Sequence, residues 1–196
     1  AAALSHLMIT QRDAVGLMGF SDDIKLTTLQ KSSRSHLHRL LLQLDNWIKT
    51  ESTQSSNSQI AESIHAAAEK ISRRSLVIIF TDMFQSTSSS KDIYEALQHL
   101  KHKNHEVLLF HVSDQNTEKI FNFENHPYIF IDSENGRKMK ITPSLIREQY
   151  QKKTEKFYQH IQQMCGQLKI DLLEVDTKDD FAKILFSYLI KRRKMK

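Results

Sequence analysis

Five consecutive apolar residues, Leu76, Val77, Ile78, Ile79 and Phe80, run straight into Thr81 and Asp82. No other stretch restricts the fold so tightly. A strand that packs on one face alternates apolar with polar side chains, whereas a strand apolar at every position suits burial on both faces, as in a parallel sheet covered by helices. In such open sheets ligands bind outside the carboxyl ends of the strands, so this run delivers Asp82 to the edge where function is expected. Asp is also a frequent cap and turn residue, and the structural alternative is that Asp82 only caps the next loop or helix.

The rest of the chain supplies the helices and further strands. Residues 1–11 read as a helix end with Leu4, Leu7 and Met8 on one face. Residues 14–20 and 24–29 flank Ser21, Asp22 and Asp23 as a hairpin, and its second strand alternates, which suits an edge. Leu37, Leu40, Leu41, Leu44 and Trp47 form one apolar stripe on a helix, followed by a polar loop over residues 49–57. Ile60, Ile64, Ala67, Ala68 and Ile71 mark the next helix, capped by Asn57 or Ser58. A helix over residues 91–102 and a strand over residues 105–112 follow the Asp82 strand, in the alternation of a parallel sheet. Tyr128 to Ile131 and Arg137 to Ile141 join across Asn135 and Gly136 as an inserted hairpin. Thr142 as cap, Pro143 at the first turn and a staple between Ile141 and Ile146 open a long helix that Gly166 ends. A last strand over residues 168–175 leads to a terminal helix opened by Thr177 and Asp180 and carrying Phe181, Ile184, Leu185, Tyr188 and Leu189. The expectation is one α/β domain over residues 1–196.

Composition removes several function classes. With 39% hydrophobic and 26% charged residues in 196, the chain reads as an ordinary globular domain. The net charge of +5 collects in residues 147–156 and 191–196, which suits solvated helix ends better than a nucleic-acid surface. The single Cys165 excludes an intramolecular disulfide and fits a reducing, cytoplasmic setting. It sits in a helical run with no basic neighbour to activate it, so it reads as a small apolar residue. Residues 1–9 are too short to span a bilayer and lack a charged leading region, so neither a signal peptide nor a transmembrane segment is expected. There is no phosphate-binding glycine loop, no Gly-x-Ser-x-Gly elbow and no His-Glu-x-x-His. His99, His102 and His105 are evenly spaced, but a helix end near Lys103 breaks their alignment and argues against zinc.

What these exclusions leave is an oxygen-rich rim. Thr81 and Asp82, the Ser55, Ser56, Asn57 and Ser58 loop, and Ser21 with Asp22 all fall at strand ends or in nearby connections. Hydroxyls with a carboxylate suit a hard cation such as magnesium.

Four stretches together resemble a known family: Gln11-Arg12-Asp13-Ala14-Val15-Gly16-Leu17, residues 73–82, residues 96–107, and Glu134-Asn135-Gly136-Arg137. In this order and spacing they are similar to conserved bacterial proteins of unknown function with a von Willebrand factor A-like domain, often encoded beside MoxR-type AAA+ ATPases. The resemblance spans nearly the whole chain. It implies a Rossmann-like three-layer sandwich with a mostly parallel sheet and a small hairpin insertion, acting as a non-catalytic protein-interaction domain, with a MoxR-type ATPase as partner. It also implies a metal-ion-dependent adhesion site for magnesium or manganese. Asp82 matches that site's late aspartate, and Ser58 stands where the family has a threonine. The family's Asp-x-Ser-x-Ser and the first strand that carries it are expected to be missing from this chain, which leaves only a partial metal site. In the implied fold that strand would lie between residues 14–20 and 75–81, so the two neighbours are expected to pair directly, to self-associate or to aggregate. Two rivals stand beside this reading: an enzyme using Asp82 as acid or base, and a nucleic-acid binder using the basic late helix.

Overall fold

The computed structural model describes residues 1–20, 24–49, 60–71, 74–82, 90–131, 136–180 and 182–186. The chain runs α1 (Ala2–Thr10), β1 (Met18–Phe20), β2 (Ile24–Thr27), α2 (Arg34–Lys49), α3 (Ile60–Lys70), β3 (Leu76–Thr81) and α4 (Ser90–His102). It continues with β4 (Glu106–Ser113), β5 (Tyr128–Ile131), β6 (Lys138–Ile141), α5 (Pro143–Gln167) and β7 (Asp171–Asp176). A single π-helical turn, Gln115–Lys119, follows β4, and residues 182–186 are helical.

The apolar runs become a parallel sheet in the order β3-β4-β7. Its register pairs Leu76 with Glu106 through to Thr81 with His111, and Leu108 with Asp171 through to Ser113 with Asp176. Helices α4 and α5 make the crossovers that parallel neighbours require. The central strand β4 is buried on both faces, as its composition demands. Val107 and Leu109 enter a core with Ile60, Ile64 and Ala68 of α3, Leu97 and Leu100 of α4, and Ile161, Met164 and Cys165 of α5. Leu108 and Phe110 point the other way, onto Leu4 and Met8 of α1, with Ile184 and Leu185 beside them. Each fully buried Leu contributes about 1.5–3 kcal/mol, so these two layers supply much of the driving force. The result is a sheet with helices on both faces.

Strand β3 departs from expectation. Its sequence suits burial on both faces, yet of its apolar run only Ile79 is buried, and Phe80 is 38% exposed. The cause is pairing: β4 has a strand on each side, whereas among the described residues β3 is hydrogen-bonded to β4 alone. Nor do β3 and the strand near residues 14–20 close up on each other. Among the described residues β1 pairs only with β2, extended by the Val15–Lys31 bridge, and an open slot of about 1760 Å³ separates the two sheets.

Three local readings also shift. Thr142 occupies the N-cap position of α5, but its hydroxyl makes no capping hydrogen bond, and Pro143 with the Leu145 N–H to Thr142 carbonyl bond carries the start. Gly166 lies inside the last turn of α5, and Lys169 (φ 52°) takes the left-handed turn into β7. Asp180, not Thr177, caps the terminal helix, accepting from the Ala182 N–H at 3.0 Å. Phe181, Tyr188 and Leu189 lie outside the described residues. The β5–β6 hairpin forms as expected, with Gly136 at φ 68°.

The slot's far wall is fixed by one close approach. Gly19 of β1 lies against the indole of Trp47, and a Cβ at Gly19 would fall within the ring. Gly19→Ala should therefore destabilise the protein by about 1–3 kcal/mol, the usual range for overpacking, measured as a lower urea midpoint at unchanged slope. Combining it with Trp47→Leu should recover part of that loss, and an additive double variant would show that the contact is not responsible.

Candidate functional site

All three parallel strands end at one edge on hydroxyls and carboxylates: Thr81 then Asp82, Ser113 then Asp114, and Asp176 then Thr177. Asp82 stands at this edge as the sequence suggested. Its side chain is exposed and has no hydrogen bond or ion pair among the described residues. Ser58 lies outside the described residues, as do Ser55, Ser56, Asn57, Ser21 and Asp22.

The neighbours that the structure does bring to Asp82 come from β4 and β7. Asp114 accepts from the Asn116 N–H at 3.0 Å and caps the π-helical turn, while Lys178 pairs with it at 2.9 Å and holds its carboxyl below the ordinary range. Burial works to raise the Glu174 carboxyl, but hydrogen bonds from Lys119 at 2.7 Å and Gln162 at 2.8 Å outweigh it and leave the pKa lowered. Asp176 accepts from the Lys178 N–H at 3.0 Å. Glu118 behaves differently. Burial raises its pKa first, a hydrogen bond from the Asp114 backbone offsets part of this, and the negative charges of Asp82, Asp114 and Asp176 add to the rise. Its Oε2 is buried and has no hydrogen-bond partner among the described residues.

His111 holds the backbone of this edge. From the middle of the sheet its Nε2–H donates to the Asp82 carbonyl at 2.7 Å, a contact that fixes the tautomer because a carbonyl can only accept. Burial lowers the His111 pKa, and the Asp82 carbonyl with the Glu174 and Asp82 carboxylates offsets only part of this. The imidazole is therefore neutral near pH 7. It stands edge-on to Tyr158 at 4.9 Å, whose hydroxyl donates to Ser113 Oγ at 3.1 Å. Lys119 covers the Tyr158 ring at 4.3 Å.

Sequence reasoning missed Asp114, Glu118, Asp176 and His111. A signal was available, since Ser113-Asp114 repeats Thr81-Asp82 at the end of the neighbouring strand. The histidines spaced by three do diverge. His99 contacts His65 (3.0 Å) and Glu69 (3.0 Å), while His105 is buried and accepts from the Ser75 N–H at 3.3 Å. Among the described residues no group of three His, Cys, Asp or Glu side chains could hold a metal ion. Cys165 is buried, and burial pushes its thiol up to about 11, so it is an inert apolar residue at neutral pH.

The fold and this edge define an α/β domain with helices on both faces of a parallel sheet and an acidic rim at the strands' carboxyl ends. The family described as protein of unknown function DUF58 matches residues 1–159, and the chain belongs to that family. It is similar to the crystal structure of the conserved hypothetical protein BatB from Bacteroides thetaiotaomicron, with a TM-score of 0.52 and 17% identity over 100% of this chain and 87% of that one. At that identity the likeness shows the fold alone. No curated protein matches the chain. No helix among the described residues is long and apolar enough to cross a membrane.

The neutral histidine has a testable consequence. The folded-state pKa of His111 lies below its ordinary 6.5, so the stability it contributes is present above pH 6.5 and is lost as pH falls towards the folded value. His111→Phe should cost about 1–3 kcal/mol at pH 7.5 through the lost bond to the Asp82 carbonyl, and that cost should shrink at pH 5. Equal losses at both pH values in thermal unfolding would disprove the assignment.

Proposed function

We propose that this domain is a non-catalytic protein-interaction module of von Willebrand factor A-like type that docks its partner through the edge carrying Asp82. The observation that carries the reading is an exposed carboxylate without a partner among the described residues, on a backbone held by His111 and backed by the unpartnered buried oxygen of Glu118. An exposed acidic group on a rigid strand end suits a basic side chain on the partner. The resemblance of the motifs to proteins encoded beside MoxR-type ATPases supports such an ATPase as that partner.

The residues described do not fit a divalent cation. Asp114 and Glu174 are already engaged by Lys178 and Lys119, and Asp82 with Glu118 leaves too few oxygens to offset dehydration of the ion. In this reading docking is by direct ionic contact of Asp82 with a basic side chain of the partner. Calorimetry should find no tight binding of magnesium or manganese, and stoichiometric tight binding that Asp82→Ala abolishes would overturn this. In a pull-down, the MoxR-type ATPase should be retained by the wild-type chain and lost with Asp82→Ala. Unchanged retention would remove the acidic edge from the interface.

Glu118 favours one second reading, in which Asp82 and Glu118 act as base and acid, because a carboxyl group with a raised pKa close to a second carboxylate is a usual arrangement for that chemistry. Carboxyl NMR titration distinguishes it from an incidental burial effect: Glu118 should titrate above the ordinary range and move back towards it in Asp82→Asn. The basic stretch over residues 147–156 supports no third reading, since Arg147 donates to the Phe123 carbonyl at 2.7 Å and Lys152 pairs with Glu148 at 2.6 Å.

A further inference from the structure

Beyond both ends of its ladder with β4, β3 is held by an imidazole ring from the β4 side. At the carboxyl end His111 donates to the Asp82 carbonyl at 2.7 Å. At the amino end the roles are reversed. His105 stands directly before β4, and its Nδ1 accepts from the Ser75 N–H at 3.3 Å, while the Ser75 carbonyl accepts from the Glu106 N–H at 3.1 Å. Two consecutive residues thus hold Ser75 through both of its backbone groups. The chain reaches Ser75 through Arg74, which is in the left-handed region at φ 59°, and Asn104 at φ 62° makes the matching turn into His105. A bulky side chain in that region costs on the order of 1–3 kcal/mol and persists only where its surroundings impose it, so the Arg74 turn depends on the bonds at Ser75.

The contact fixes the state of the ring. A backbone N–H can only donate, so Nδ1 carries a lone pair and the single ring proton sits on Nε2, which is buried with no hydrogen-bond partner among the described residues. His105 is 2% exposed. Burial lowers its pKa first, and the charge of Lys103, the charged group that bears on this ring among the described residues, lowers it further. The contact with Ser75 would raise it again only if the ring were the donor; with the N–H donating, a second proton finds no lone pair to occupy. His111 differs. The Asp82 and Glu174 carboxylates and Lys119 bear on it, and its Nε2–H donates whether or not the ring is charged.

We propose that His105 is an acid-sensitive latch on the amino end of β3. Neutral, it accepts the Ser75 N–H and keeps the Arg74 turn closed. Protonated at Nδ1, it sets one N–H against another, the latch opens, and residues 74–76 fray from β4 while the Asp82 end stays bound to His111. The acidic edge keeps its place as the far end of the same strand loosens. By linkage, the stability that the neutral ring contributes is present above pH 6.5, its ordinary value, and is lost as pH falls towards the lower folded-state value.

Amide exchange and the ring's own titration, followed together by NMR, test the latch. Expressed as protection, so that the intrinsic pH dependence of exchange cancels, the Ser75 amide should lose on the order of tenfold or more between pH 7.5 and pH 4.5. Ile79, whose N–H alternation also turns towards β4 in mid-strand, should change little. The ring nitrogen shifts of His105 should show the Nε2–H tautomer at pH 7.5 and a second proton gained over the range in which Ser75 loses protection. A ring that stays neutral at pH 4.5, or one that titrates while Ser75 stays protected, would overturn the proposal. Matching losses at Ser75 and Ile79 would overturn it too, by showing that the whole sheet opens. His105→Asn places an amide oxygen close to the Nδ1 position without a group that titrates, and should keep Ser75 protected at both pH values. His105→Phe removes the acceptor and should leave Ser75 unprotected at both, with Ile79 still protected. A wild-type pH response of Ser75 in either variant would assign the switch to another group and sink the proposal, and the wild-type titration decides the matter by itself where a variant does not fold.

Discussion

The fold depends on the ladders that β4 makes with strands on both sides. Paired at each edge and covered on each face, β4 can bury Val107, Leu108, Leu109 and Phe110 in succession without leaving a backbone group unmatched. The helices take their places from it. Val107 and Leu109 fix α3, α4 and α5 on one side, while Leu108 and Phe110 fix α1 on the other. Strand β3 has nearly the same composition and a different fate, because it lacks the second ladder. Burial of a strand is thus a property of its partners as much as of its residues, and the exposure of Phe80 is the measure of that difference.

This contrast explains what could be read from the sequence and what could not. The parallel strands, the helices and the β5–β6 hairpin followed from periodicity and turn chemistry, which are local. Asp82 was found because it follows an apolar run. Asp114 and Asp176 obey the same rule at the ends of β4 and β7, but the convergence of three strand ends depends on the sheet order, which periodicity does not contain. His111 was hidden for another reason. Within a strand it reads as one more core position, and only the pairing of Thr81 with His111 shows that its ring reaches the Asp82 carbonyl. Thr142 does stand at the N-cap of α5, though without a side-chain bond, whereas the Gly166 stop and the Thr177 start failed for a third reason, since each names a residue able to do a job that a neighbour performs instead.

The acidic edge is organised by which carboxylates already have partners. Lys178 and Lys119 hold Asp114 and Glu174, so these groups brace the turn after β4 and the end of β7. Among the described residues neither Asp82 nor Glu118 is held by a lysine, Glu118 taking a hydrogen bond from the Asp114 backbone, and the charge of Asp82 raises the cost of ionising Glu118. A charged lysine on a partner, or a proton, relieves the same repulsion. That is why the interaction reading and the acid–base reading both centre on these two groups.

Slot and acidic edge are not independent features. Asp82, Asp114 and Glu118 line the slot at the carboxyl end of β3, so whatever occupies it ends beside them. Asp82 is tied to the core through one hydrogen bond from a neutral histidine, whereas Phe80, two residues earlier, stacks on Phe110 at 4.7 Å with its backbone turned to the open side. The acidic edge and the exposed side of β3 therefore share one short stretch of backbone, held by the His111 bond to the Asp82 carbonyl and by the stack of Phe80 on Phe110.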